Sequence, residues 1–171
     1  MFTKVWKGLN EFSDLGLIGS VKTKMHLAQA RGCSPIAGAY MENRMVIKPV
    51  KPDTIAKSLA IGNPADGFYA LQVVQDSGGS AVIAEENEIS ESIKLLAETE
   101  GIFTEGAGGV AIASLKRLAQ SGKIKADETT VVYITGNGLK TVEIVADAVN
   151  PIPIAATVES FESAMDAAVI S

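Results

Sequence analysis

The sequence is poor in the residues that bind metals or cross-link a chain. It has one cysteine, Cys33, and one histidine, His26, in 171 residues. A lone cysteine forms no internal disulfide, and one thiol with one imidazole does not furnish the four ligands of a zinc cage. Basic residues are outnumbered, 15 Lys and Arg against 20 Asp and Glu, so a net charge of -5 repels a nucleic-acid backbone. No apolar run approaches the ~20 residues of a membrane span, and the first residues lack the apolar core of a secretory leader. These absences lead to an expectation of a cytoplasmic protein with neither nucleic acid nor membrane as partner. What the sequence has in quantity is apolar side chain, 47% of residues, enough for one domain with a core.

Strand-like and helix-like segments alternate along the chain, the pattern of an α/β domain with a mostly parallel, twisted sheet flanked by helices. Residues 4-KVWKGLNEFSDLG-16 set Val5, Trp6, Leu9 and Phe12 at helical spacing. The short apolar run 24-KMHLAQA-30 reads as a buried strand, and Ser34 before Pro35 reads as the cap of a following helix. After the proline loop 49-PVKP-52, Asp53 is expected to cap a helix over 53–60, which Gly62, Asn63, Pro64 and Gly67 then break before helical periodicity resumes at 68. Residues 80-SAVIA-84 predict a second strand. An amphipathic helix over 86–100 follows, with Ile89, Ile93, Leu96 and Ala97 on one face and Gly101 as its C-cap. The core unit is assigned to 1–149 and a C-terminal tail to 150–171, where Pro151 and Pro153 predict a loop or edge segment. In that tail Phe161 and Met165 stand at helical spacing and are expected to pack.

Two further stretches bear on ligands. In 102-IFTEGAGGVAIASLKRLAQSG-122 the acidic Glu105 precedes a run of small residues, Gly106 to Gly109, that lets a helix start lie close against another backbone or a flat ligand. Helix packing is the favoured explanation of those glycines. In 131-VVYITGNGLKT-141 the run VVYIT reads as a central parallel strand that delivers Thr135 to its carboxyl end, where open α/β sheets bind ligands. The Thr135 hydroxyl either contacts a ligand or caps the next helix. The Gly136-Asn137-Gly138 turn resembles an anion nest, yet it lacks the Lys-Ser/Thr ending of a Walker loop and the spacing of a dinucleotide fingerprint.

The ordered motifs TIAKSLAIGNPADG, LLAETEGIFTEGAGG and VVYITGNGLKT resemble threonine synthases, and most closely the cyanobacterial members. The likeness starts near 5-VWKGLNEF-12 and extends, weakening, to 157-TVESFESAMDAA-168. It implies a fold-type-II enzyme that uses pyridoxal 5'-phosphate to convert O-phosphohomoserine to threonine. Thr135, with Gly136, matches the neutral hydroxyl that meets the pyridine nitrogen, and Glu105 matches an acidic residue beside the ring. Ala60 to Gly62 match the segment lying across the cofactor face.

The likeness also has gaps. The lysine that anchors the cofactor in a motif like Ser-Phe-Lys-Asp, and the Gly- and Asn-rich phosphate loop, have no counterpart in this sequence. Lys22, Lys24 and Lys140 do not occupy the anchoring position, and Gly106 stands where a hydroxyl-bearing residue is expected. The chain therefore reads as the C-terminal portion of such an enzyme, inactive alone, expected to associate with the missing N-terminal half or with itself as a homo-oligomer. The alternative is a standalone non-catalytic module that binds a small molecule or a subunit.

Overall fold

A computed structural model describes residues 1–149 and 152–169. Helix α1 spans Phe2–Asp14, strand β1 Leu27–Ala30, and helix α2 Pro35–Met41. Helix α3 covers Gly67–Asp76, and β2 follows at Ala81–Ala84. Next come α4, Glu86–Glu100, and α5, Gly106–Gln120. Short helical turns lead to α6, Ala146–Val149, and then to α7, Val158–Val169. The two strands pair in parallel, Leu27 opposite Ala81 through Ala30 opposite Ala84. This is an α/β arrangement, with the crossover between parallel strands made by α2 and α3.

Side chains alternate along each strand, and so the thin sheet separates two cores. Leu27, Ala81 and Ile83 face α2 and α3 and pack with Ala37, Leu71 and Val74, with Phe2 of α1 against the same cluster. Ala30 and Ala84 face the other way, toward Ile89 and Ile93 of α4 and Val110 and Ala113 of α5. Leu71, Val74 and Ile89 are fully buried.

Several local devices agree with the sequence. Gly101 closes α4 in the left-handed region, at φ +67°, where a Cβ would be strained. Glu88 reaches back to accept from the Glu85 backbone N–H at 2.8 Å, the reciprocal arm of a capping box. Ser34 stands at the cap position of α2, but its side chain makes no capping bond. Gln29 of β1 does that work: its Oε1 accepts from the Ile36 and Ala37 N–H groups at 3.0 and 2.9 Å. A strand side chain thus satisfies the free amides of a helix start.

Three expectations are corrected. The helix expected over 53–60 is only a single tight turn, Lys57–Leu59, and Asp53 caps nothing. Its backbone is claimed elsewhere, since the Asp53 N–H donates to the Gly32 carbonyl at 2.9 Å and the Ile55 N–H donates to Glu86 at 3.0 Å. With no helix there, there is none to break at 61–67; the chain stays irregular until α3. The third correction concerns 131–135, which pairs with no strand, so the described sheet has two strands and VVYIT is not its centre. The period-two pattern survives: Val131, Tyr133 and Thr135 are exposed while Val132 and Ile134 are half-buried. It is a strand without neighbours.

In the tail, Phe161 and Met165 lie on α7 as spaced but remain 52% and 48% exposed, so they do not pack on this core. Pro153 lies in irregular chain, and Pro151 falls outside the described residues. No helix among the described residues is long and apolar enough to cross a membrane.

One titrating group couples the fold to pH. His26 is half-buried, and its Nδ1 accepts from the Ser80 N–H at 3.2 Å. Burial lowers its pKa below 6.5, Lys24 and Lys123 add to the lowering, and Glu128 opposes it. The folded state therefore holds fewer protons than the unfolded chain just below pH 6.5, and stability falls as pH drops through that window. Depressed carboxylates such as Glu85, held down by Arg31, lose their contribution only below about 4.5. Urea midpoints are expected to fall between pH 7 and 5 in the parent protein. His26→Asn, whose amide oxygen can still accept from Ser80, should flatten that segment of the curve.

Candidate functional site

Three of the sequence-predicted residues, Glu105, Thr135 and Gly136, lie where the segment ahead of α5 meets the 135–138 turn. The Gly136 carbonyl accepts from the Glu105 N–H at 3.1 Å and from the Thr104 hydroxyl at 3.0 Å. The Gly138 N–H donates to the Phe103 carbonyl at 3.0 Å, and Thr104 forms an antiparallel bridge with Asn137. These bonds clamp the turn onto residues 103–105. The clamp needs glycine, because a Cβ on Gly136 would stand 2.1 Å from Glu105 Oε1, and one on Gly138 would stand 2.6 Å from the Phe103 ring. The Gly138 N–H, which an anion nest would offer to a ligand, is spent on the Phe103 carbonyl. Asn137 caps the next turn, its Oδ1 accepting from the Leu139 N–H at 2.9 Å, so the capping role does not fall to Thr135. Thr135 is exposed beside the clamp.

Glu105 is 7% exposed, and it stands at the N-terminus of the 15-residue helix α5, whose dipole favours a negative group there. Lys140 approaches it, Nζ to Oε2 at 3.8 Å, from a largely solvated position. Nothing in the spacing of Lys140 signals this neighbour; only the fold back of the turn onto 103–105 brings the two together. Gly106 has no room for the hydroxyl-bearing side chain expected there, since its Cβ would meet Ala56 Cα at 2.9 Å and Ile144 Cδ1 at 3.1 Å. Gly109 is pressed on Ile89 and Ile93 in the same way. The run of small residues is packing.

Ala56 under Gly106 brings the 54–60 segment against the start of α5, with Ala60 half-buried at the end of the Lys57–Leu59 turn. Gly62 is turned toward the proline loop: its carbonyl accepts from the Val50 N–H at 3.0 Å, and a Cβ would overlap the Val50 carbonyl oxygen at 1.9 Å. The arrangement thus joins Glu105 to Gly136 directly with Thr135 one residue before it, packs Ala56, four residues before Ala60, against the start of α5, and ties Gly62 to Val50.

Another carboxylate, unremarked in the sequence, secures this segment. Glu86 accepts from the Gly32 N–H at 2.9 Å through Oε1, and from the Thr54 hydroxyl at 2.9 Å and Ile55 N–H at 3.0 Å through Oε2. An acidic residue in the first turn of a helix is so ordinary that its spacing carries no signal of this second duty. Lys22 and Lys24 precede the amino end of β1, away from Glu105, and Lys24 pairs with Glu128 at 3.0 Å. Among the described residues no cluster of three or more His, Cys, Asp or Glu could hold a metal.

The chemistry of this donor set fits the ring end of a planar heteroaromatic cofactor. Thr135 supplies an open hydroxyl, Glu105 a buried carboxylate, and the glycine clamp holds the two adjacent. A covalent anchor at this end is not part of the set: Lys140 pairs with Glu105 and points its ammonium into solvent.

Comparison with known proteins agrees with this chemistry. Residues 1–136 match the family described as pyridoxal-phosphate dependent enzyme. The chain is 44% identical over 137 residues to threonine synthase of Methanocaldococcus jannaschii, covering 80% of this chain and 34% of that protein. It is 38% identical over 146 residues to threonine synthase of Methanosarcina acetivorans, covering 85% and 36%. With threonine synthase of Bacillus sp. strain ULM1 it is 35% identical over 164 residues, covering 96% and 44%. The chain thus spans well under half the length of these relatives. Similarity that starts at the first residue and runs through the Glu105–Gly136 clamp leaves one assignment: the chain belongs to the pyridoxal-phosphate dependent enzyme family.

Proposed function

We propose that this chain is the C-terminal portion of a threonine synthase, the enzyme that turns O-phosphohomoserine and water into threonine and phosphate. The observation that carries the reading is the clamp that sets buried Glu105 beside Gly136 and exposed Thr135. In the proposed roles Thr135 faces the pyridine nitrogen, Glu105 lies beside the ring, and Ala60 and Gly62 line its face. When bound, pyridoxal phosphate supplies the electron sink for the substrate's carbanion, and the protein tunes it. A neutral Thr135 hydroxyl offers the nitrogen a hydrogen bond without a charge. Glu105 stands at the N-terminus of α5 with Lys140 beside it, an arrangement that suits a carboxylate next to the ring.

The same reading makes the isolated chain inactive, because covalent catalysis by an amine needs a lysine over the reacting carbon. In this reading Lys22, Lys24 and Lys140 are not that lysine, and Lys24 and Lys140 pair instead with Glu128 and Glu105. Phosphate release from O-phosphohomoserine by the purified chain with added pyridoxal phosphate is expected to stay at the buffer rate; turnover would overturn this part of the reading. Residues 1–149 form the proposed catalytic-core unit and 150–171 its tail, whose exposed Phe161 and Met165 suit a neighbouring surface. The proposed partner is the missing N-terminal half, or a second copy in a homo-oligomer.

A standalone binding module is the second reading. An apolar cleft of about 630 Å³ between α1 and α5 supports it, since mostly apolar hollows of this volume are where small molecules bind. A reading frame directly upstream that encodes the anchoring-lysine motif favours the enzyme portion, and its absence favours the module.

A further inference from the structure

The cleft has a more definite shape than an apolar hollow. One wall is α1, through Phe2, Val5 and Leu9, and the opposite wall is α5, through Ala111, Leu115 and Leu118. These helices lie on opposite faces of the sheet, since Phe2 packs with the α2 and α3 core and α5 with the α4 core. The two ends of the gap are backbone. On one side is β1, at His26 to Ala28, and on the other the unpaired extended run Thr129 to Tyr133.

Parallel pairing spends alternate peptide groups of β1 on β2, with the Leu27 N–H on the Ser80 carbonyl and the Arg31 N–H on that of Ala84. By that period the peptide groups of Ala28 face away from β2, into the cleft. Across from them, 131–135 keeps the in-and-out alternation of a strand and has no ladder. A polar atom in the α5 wall is also unfinished: the Ser114 hydroxyl is buried, in a residue 3% exposed, and has no hydrogen-bond partner.

We infer that this cleft is a strand slot, which takes one extended segment between β1 and 131–135 and makes VVYIT part of a continuous sheet. The occupant is a segment of the enzyme portion outside these 171 residues, and the inference rests on the threonine-synthase reading for that identity. Relatives between two and three times as long supply the chain it would come from. With an apolar helix on each face, the segment must be uncharged on both sides, a run of Val, Ile and similar residues with one Ser or Thr hydroxyl to partner Ser114. The length of the flanking backbone calls for about five residues, at ~3.3 Å each. The correction to the fold then has its cause, because a central strand whose inner neighbour belongs to other chain cannot form its ladder alone.

The test is hydrogen exchange on the 171-residue chain with overlapping 14-residue peptides, drawn from the part of the Methanocaldococcus jannaschii threonine synthase that this chain does not match. One apolar peptide is expected to slow exchange at the Ala28 amide and within 131–133 by tenfold or more. Ala28→Pro, which removes only the outward N–H and leaves the β1–β2 ladder intact, should abolish that protection. Ser114→Ala should weaken the peptide about fivefold, the size of one lost hydrogen bond. Two results overturn the inference: no peptide protects these amides, or raising the chain's own concentration protects them, which would seat a second copy in the slot. Neither result depends on turnover, so a failure of the enzyme reading in the phosphate assay is seen separately.

Discussion

Glu86→Ala lowers the unfolding free energy by about 3 kcal/mol, more than any other single exposed or half-buried carboxylate. The side chain is half-buried and accepts three hydrogen bonds, from Gly32, Thr54 and Ile55. A shielded bond to a charged acceptor contributes roughly 1.5–3 kcal/mol, but solvent replaces part of each bond at a half-buried carboxylate and leaves about 1 kcal/mol net for each of the three. Removing the carboxylate leaves the Thr54 hydroxyl, in a residue 5% exposed, without its acceptor. For a chain of this size the thermal midpoint falls by about 6–12 °C. Glu86→Gln retains an oxygen of the same reach and should lose only about 1 kcal/mol. Urea unfolding followed by circular dichroism measures both. A loss below about 0.5 kcal/mol in Glu86→Ala would mean that Gly32's contact with Asp53 alone holds the 53–60 segment.

The second large effect is Gly109→Val, expected to destabilise by about 3 kcal/mol. A Cβ at this position would stand 2.6 Å from the Ile89 carbonyl oxygen and 2.9 Å from Ile93 Cγ1. Ile89 and Ile93 are fully buried, and one of the atoms met is backbone, so relief requires α4 and α5 to move apart. Overpacking of this kind costs about 1–3 kcal/mol, and a β-branched side chain on a helix adds to it. Gly109→Ala, with the better helix propensity of alanine to offset the clash, is expected to lose roughly half as much. Denaturant midpoints decide the matter, and a neutral Gly109→Val would show that the helices are not in close contact there.

The sequence carried the elements whose making is local. The helix over 86–100 announces itself by Ile89, Ile93 and Leu96 at one face and a glycine stop, and the fold keeps every one of those features. Asp53 shows where local signals fail. A capping residue ahead of a periodic run is a fair sign of a helix, yet Gly32 and Glu86, distant in sequence, take the same backbone groups first. VVYIT fails in the opposite way. Its composition is that of a buried strand, and a strand needs a neighbour that composition does not reveal. At the candidate site the two residues proposed to face a ligand, Thr135 and Glu105, were legible because a glycine turn and a glycine-flanked acid are local patterns. Thr104 and Lys140 were not, because their places follow from how the turn folds back on 103–105.

In the proposed reading Glu105, Gly136 and Thr135 form one wall of a cofactor site, and a wall holds a planar ring only while something else holds its other end. The most direct test is an absorbance titration of the purified chain with pyridoxal phosphate, followed by borohydride reduction and peptide mapping. The account predicts weak labelling scattered over exposed lysines, Lys140 among them. A single lysine trapped at near-stoichiometric yield would contradict it, and would place a complete cofactor anchor within these 171 residues.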